Sequence, residues 1–301
     1  MDKYIAEDKM NQELLTTIRD AYLRAILEGD SDAAHKAVDQ GLAGGIIPTK
    51  IYLDVLMPAQ VQVGLIWANG ELSIPQEHVA TQITLGQMGR LRSMLKTRLK
   101  LGLKALVTSV QGDQHFVGSQ AVADFLIMDG WEVDFLGANT PTDDIILYLK
   151  SRGSHLVCAS ATLAEHVPHL RELGEKIQKM DAPPKFIFGG FAFNSNPALV
   201  KTVIADGFAR DPQEAVTLGR HLCGVLSSEN SLAMYLRKLG LSLHEYRKMR
   251  GLSQQELADL ADLDRAYISA VEHGKQNISI GAISKLAAAL KVSIEELLIG
   301  A

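Results

Sequence analysis

Asp113, His115 and Gly118 stand in the order DxHxxG within VQGDQHFVGSQ, directly after the apolar run KALVTSV. An exposed imidazole in such a loop can ligate a metal through one nitrogen while a carboxylate holds the other. That pairing fixes the tautomer and raises the basicity of the ligating atom. Gly118 leaves room for the backbone to approach a large flat ligand, where a Cβ would collide. Two further features could join this chemistry. Ser160-Ala161-Thr162 closes the later apolar run HLVCASAT, and Gly189-Gly190 closes KFIFGG. Paired glycines at a strand tip admit something close. Each feature has an ordinary reading as well: a solvated His–Asp pair, a loop hydroxyl, a turn glycine.

Strand tips need a sheet behind them. From about Leu103, apolar and partly β-branched runs alternate with helical stretches: KALVTSV, WEVDFLG, HLVCASAT and KFIFGG, with a short fifth strand near Gly207 and Phe208. The alternation predicts a doubly wound, five-stranded parallel sheet of flavodoxin-like type over residues 102–226. Ligands of such sheets bind outside the carboxyl ends of the strands, where strand order reverses. Residues 1–98 show no convincing strand. Leu14, Ile18, Tyr22, Leu23 and Ile26 share a helical face, and Gly29 and Asp30 end that helix. A serine-capped helix follows from Ser31, then PTKIYLDVLMPAQVQVGLIWANG and a last helix from about Pro75 to Leu99, which together predict a four-helix bundle. Residues 233–300, behind a linker around SSENSLAM, read as a small all-helical domain. The expected chain is a multidomain protein of α and α/β parts.

Composition narrows the function classes. The 301 residues are 47% hydrophobic and 22% charged with no biased tract, which excludes fibrous and disordered chains and allows two or three domains. MDKYIAEDKMNQ lacks the apolar centre of a secretory signal, and no run approaches the roughly 20 apolar residues of a bilayer span. A cytoplasmic location without a membrane partner is expected. Cys158 and Cys223 are too few for a disulfide framework or a thiolate zinc site, and Cys158 reads as a small buried hydrophobe.

In this order, DxHxxG, the serine–threonine run and the double glycine resemble the cobalamin-binding domain of methionine synthases, mutases, corrinoid proteins and cobalamin-dependent photoreceptor regulators. The resemblance covers about residues 102–225. It implies that His115 binds cobalt from below, that Asp113 supports it, and that Gly118, Ser160, Thr162, Gly189 and Gly190 line the pocket for the displaced nucleotide tail. Upstream, WANGELSIPQEH holds Trp67 and, after nine intervening residues, Glu77-His78. A bundle with this W-x9-E-H spacing, just before a cobalamin domain, resembles the adenosylcobalamin-dependent light-sensing transcription regulators. By that resemblance Trp67 lids the upper axial group, Glu77 accepts from ribose hydroxyls, and His78 joins the site. An indole is a large rigid apolar cover and a partly buried carboxylate a strong acceptor. One position departs from the pattern: the light-sensing members carry a cobalt-capturing histidine after the tryptophan, and Ala68 stands here. His78, His35 or water would take that place. Adenosylcobalamin is the expected cofactor, with methylcobalamin or hydroxocobalamin as alternatives.

The C-terminal run has a helix-turn-helix cadence. Ser253 and Glu256 form a capping box, and Gln254, Ala258, Leu263, Ile268 and Val271 are spaced to pack two short helices. Asp262, at the turn, tolerates left-handed backbone. Residues 240–299 resemble the Cro/cI-type helix-turn-helix family. That resemblance makes Asp264–Glu272 the recognition helix, aims Arg265, Ala266 and Ser269 at base edges, and sets Gln254, Lys275 and Asn277 near phosphate. From Ser231 onward nine Lys/Arg face eight Asp/Glu, a net of +1 that leaves −6 for the rest. Modest DNA affinity per monomer follows, remedied by a dimer or tetramer. The expected protein is not an enzyme but a cobalamin-responsive, light-responsive DNA-binding regulator. The alternative is a corrinoid methyl carrier of a methyltransferase system.

Overall fold

The computed structural model describes residues 2–95, 100–225 and 232–299. The last residues of the predicted fourth helix, 96–99, and most of the predicted linker lie outside them. The described residues fall into two compact units divided after Gly224.

Four helices open the first unit: α1 (Asp2–Glu28), α2 (Ser31–Ala43), α3 (Pro48–Ala68) and α4 (Ile74–Met94). On α1 the buried face is Leu15, Ile18, Tyr22, Ala25 and Ile26, one position off the predicted stripe at its start. Asp30 rather than Ser31 caps α2, its carboxylate accepting the Ala33 amide at 2.8 Å. The α3 helix contains one π-helical turn, Tyr52–Leu56. With 21 residues and mean hydropathy 1.3 it is, among the described residues, the one helix long and apolar enough by length and composition to cross a membrane, although Lys50, Asp54, Gln60 and Gln62 interrupt its apolar run. Its apolarity has a local use, since Ile51, Tyr52, Val55, Leu56, Ala59 and Val63 are fully buried in the bundle.

The sheet follows as β1 (Lys104–Val110), β2 (Glu132–Thr140), β3 (Leu156–Ser160), β4 (Lys185–Gly189) and β5 (Gly207–Phe208), all parallel in the order β2-β1-β3-β4-β5. Between them run α5 (Val117–Asp129), α6 (Thr142–Arg152) and α7 (Val167–Gln178), and α8 (Pro212–Leu222) follows β5. β1 and β3 are buried almost throughout, as a sheet covered on both faces requires. One apolar core joins the bundle to α5, α8 and one sheet face; a second fills the opposite face beneath α6 and α7. Strand order reverses between β1 and β3, so the loops after these two strands border the crevice where doubly wound sheets bind ligands.

The second unit holds α9 (Leu232–Met249), α10 (Gln254–Ala261), α11 (Arg265–Glu272), α12 (Ile280–Leu290) and α13 (Ile294–Ile299) around its own core.

Candidate functional site

The loop after β1 is built around a buried carboxylate. Gly112 adopts φ +85°, a conformation suited to glycine, and its amide donates to Asn139 Oδ1 at 2.7 Å. The Asn139 amide returns a bond to the Asp113 carbonyl at 2.9 Å. Asp113 is fully buried: Oδ1 accepts from the His115 ring and amide at 2.9 and 3.0 Å, and Oδ2 accepts the Thr162 amide at 2.6 Å. Burial opposes its ionisation, but these bonds together hold the carboxyl below its usual range. An ionised carboxylate only accepts, so the His115 proton sits on Nδ1 and Nε2 is left as the free nitrogen. The bond to Asp113 raises the His115 pKa against the opposing effect of burial, and the charges of Asp113 and Glu77 add to it. The His115 side chain is 43% exposed. Beneath it Ser109 Oγ donates to the His115 carbonyl at 2.9 Å and lies 3.2 Å from Ser160 Oγ.

Glu77, in the first turn of α4, therefore acts on His115 from the bundle. Thr81 donates to its carboxylate at 2.7 Å and Gln60 donates to Thr81 at 2.6 Å, tying α3 to α4. Trp67 lies two turns beyond Gln60 on α3 and is 37% exposed. His78 is 71% exposed, 3.7 Å from Glu77, and His35 pairs with Asp39 on α2. No group of three or more His, Cys, Asp or Glu among the described residues could hold a bare metal ion. His115 offers one nitrogen, a donor set that suits a metal arriving with its own equatorial ligands. No Cβ contact restricts the space at Gly118, which leaves the start of α5 open to a flat ligand.

In the second unit Ser253 and Glu256 form the expected reciprocal cap on α10, and Asp262 ends that helix at φ +50°. Asp264 caps α11 through the Ala266 amide at 2.6 Å. Arg265 and Ala266 are exposed on its first turn, Ser269 is half-buried, and Lys275 and Asn277 are exposed in the following loop. Gln254, at the start of α10, donates through its amide to buried Glu272 at 2.8 Å.

The family described as a B12 binding domain matches residues 18–92, a second of the same description matches 103–217, and a helix-turn-helix family matches 243–297. The chain is a B12 binding domain joined to a helix-turn-helix domain. The B12 binding part is 25% identical to the trimethylamine corrinoid protein of Methanosarcina barkeri over 52% of this chain and 73% of that protein. Its fold matches the monomethylamine corrinoid protein of Methanosarcina barkeri at TM-score 0.59 and 22% identity, covering 70% of this chain and 99% of that one. The helix-turn-helix part is 39% identical to the control protein C.MunI of Mycoplasma, over 20% of this chain and 82% of that protein.

Within the B12 binding domain, two placements were not visible in the sequence. The double glycine packs closely on protein backbone: a Cβ on Gly189 would stand 2.5 Å from the Ala209 carbonyl oxygen, and one on Gly190, at φ +115°, 2.2 Å from that of Ala161. The close approach at these tips is backbone on backbone. The sequence reading also missed His166. Its ring packs on Gly112, its Nδ1 is buried without a hydrogen-bond partner, and that atom lies 3.8 Å from Asp113 Oδ1. The usable signal was positional: His166 follows β3, whose loop borders the β1 loop at the switch point.

Proposed function

We propose that the chain is a cobalamin-responsive transcription regulator, with light acting on bound adenosylcobalamin as the signal. The observation that carries this reading is the His115–Asp113 pair, held with one imidazole nitrogen free at the switch point of a B12 binding domain that is joined to a helix-turn-helix domain. His115 would hold cobalt through Nε2, Asp113 would keep Nδ1 protonated, and Gly118, Ser160, Thr162, Gly189 and Gly190 would border the nucleotide tail. Trp67, Glu77 and His78 would face the upper axial group. Adenosylcobalamin supplies a light-labile cobalt–carbon bond when bound. With Ala68 after Trp67, His78, His35 or water would take that upper place. Arg265, Ala266 and Ser269 would read bases, with Gln254, Lys275 and Asn277 near phosphate, and Gln254 would also brace the recognition helix through Glu272. The cofactor state would bias the assembly of a dimer or tetramer, which sets how its DNA-binding domains are spaced.

The test uses the full chain loaded with adenosylcobalamin in the dark. A corrinoid spectrum retained through desalting and lost in His115→Ala supports the cofactor reading; a colourless protein ends it. Gel-shift and size-exclusion profiles that are identical before and after illumination would end the light reading alone. Similarity to a trimethylamine corrinoid protein favours a second reading, a methyl carrier, and methyl transfer to a thiol acceptor by the loaded chain would establish it.

Two variants probe the faces separately. Trp67→Ala is expected to weaken adenosylcobalamin about tenfold and hydroxocobalamin hardly at all, because only the larger axial group touches the indole. Equal losses measured by absorbance titration would remove Trp67 from the upper face. Lys275→Ala is expected to lower the salt dependence of DNA binding by about one counterion without changing sequence preference. An unchanged slope would take Lys275 off the phosphates.

A further inference from the structure

A buried polar knot fastens the bundle to the sheet layer. Asp124, on α5, is 1% exposed and accepts from Arg92 of α4 at 2.6 Å and from Gln120 at 2.9 Å. The Tyr52 hydroxyl lies 2.9 Å from its other oxygen and 2.6 Å from the Met88 carbonyl. Its single proton is therefore shared between the two acceptors. Burial, and then the charge of Asp124, push the Tyr52 pKa far above its ordinary range, so the phenol stays a donor. Tyr52 opens the π-helical turn of α3, which is a departure from regular helix of the kind that accumulates at functional sites.

Three helices thus meet at one carboxylate, and each carries part of the proposed site. The α3 helix ends at Trp67 and Ala68, α4 begins beside Glu77, and α5 starts two residues past His115. We propose that the Asp124 knot is a latch that sets the separation between the lid helices and the His115 loop. Tyr52, Arg92 and Asp124 are then positioning residues for the upper face of the bound cofactor. This inference rests on the cobalamin reading given above. The lever is long: Glu77 lies about 22 Å along α4 from Arg92. A few degrees of tilt at the latched end displaces the Glu77 end by about 1–2 Å at that arm. Leaving a buried charge short of a partner favours such a tilt, because it readmits water.

Tyr52→Phe and Asp124→Asn test the latch in the full chain. Phenylalanine keeps the ring and its edge contact with Phe125, centroids 5.6 Å apart, so the fold survives the loss of the hydroxyl. In cofactor-free protein, both variants are expected to speed hydrogen exchange in α3 and α4 about tenfold while β1, β3 and β4 stay protected. In dark titrations both should bind adenosylcobalamin about tenfold more weakly and hydroxocobalamin within about twofold of the native chain, since a small upper ligand needs no lid. Unchanged exchange in α3 and α4 overturns the latch, as do equal losses for the two cobalamins. If the native chain binds neither cobalamin, the cofactor reading falls, and the exchange comparison still decides whether Asp124 holds the two layers together.

Discussion

Replacing Arg247 with methionine is expected to unfold the C-terminal unit while residues 1–224 stay folded. The guanidinium is 4% exposed and Glu272 is 3% exposed, so the pair is out of water. Arg247 Nη2 donates to Glu272 Oε2 at 3.0 Å, and Nη1 donates to the Leu252 carbonyl at 2.8 Å. Glu272 also accepts from Gln254 at 2.8 Å and lies 3.2 Å from His244 Nδ1. The knot therefore joins α9, α10 and the end of α11. Its removal leaves a buried carboxylate short of its main partner, at a cost of about 3–5 kcal/mol. A domain of this size has about 3–10 kcal/mol in all. Circular dichroism should show the C-terminal transition lost or moved below room temperature, with DNA binding lost alongside it. A native-like melt in Arg247→Met would refute the assignment.

Acid should act through the same group. Burial opposes ionisation of Glu272, but Arg247, Gln254 and His244 together hold it below the ordinary carboxylate value of 4.5. Its stabilisation is therefore complete above about that pH and is lost as the pH falls through the lowered value. Pairing Arg247→Met with Glu272→Leu should restore much of the stability, because an apolar pair leaves no orphaned charge.

What the sequence disclosed, and what it hid, follows from the range of the interactions. The strands were legible because β1 and β3 are apolar on both faces, and Ser253, Glu256 and Asp262 were legible because caps and left-handed turns are decided within a few residues. The DxHxxG pair was legible for the same reason: two positions separate Asp113 from His115. The shared core of bundle and sheet was not, because Tyr52, Arg92 and Asp124 look like surface residues until chain segments 32 and 72 residues apart meet. The tie of Gln254 to Glu272 was hidden for the same reason, since it crosses 18 residues. The packing of the double glycine on Ala209 and Ala161, and of His166 on Gly112, was hidden because these partners lie far along the chain.

The second large effect is expected at Asp113, where asparagine should lower cobalamin affinity about 10–100-fold, the usual consequence of losing the group behind a ligating histidine. The geometry gives the reason. Asp113 takes three donated hydrogen bonds, two on Oδ1 from His115 and one on Oδ2 from the Thr162 amide. An asparagine amide has one acceptor atom. With its oxygen toward His115, its NH2 confronts the Thr162 N–H, donor against donor. With its oxygen toward Thr162, its NH2 faces the His115 ring and asks Nδ1 to accept, which moves the ring proton to Nε2, the atom proposed to bind cobalt. Both orientations cost ligation. The pH dependence separates this from general damage. The bond to Asp113 raises the His115 pKa, and a proton competes with cobalt for Nε2, so ligation in the native chain should fade as the pH falls through that raised value. Asp113→Asn should bring the His115 titration down toward the ordinary imidazole range, shifting the fade to lower pH while weakening binding throughout. Imidazole NMR on the cofactor-free chain and absorbance titration with hydroxocobalamin read the two effects independently. An unshifted titration together with native affinity would mean that Asp113 holds the loop alone, without setting the state of His115.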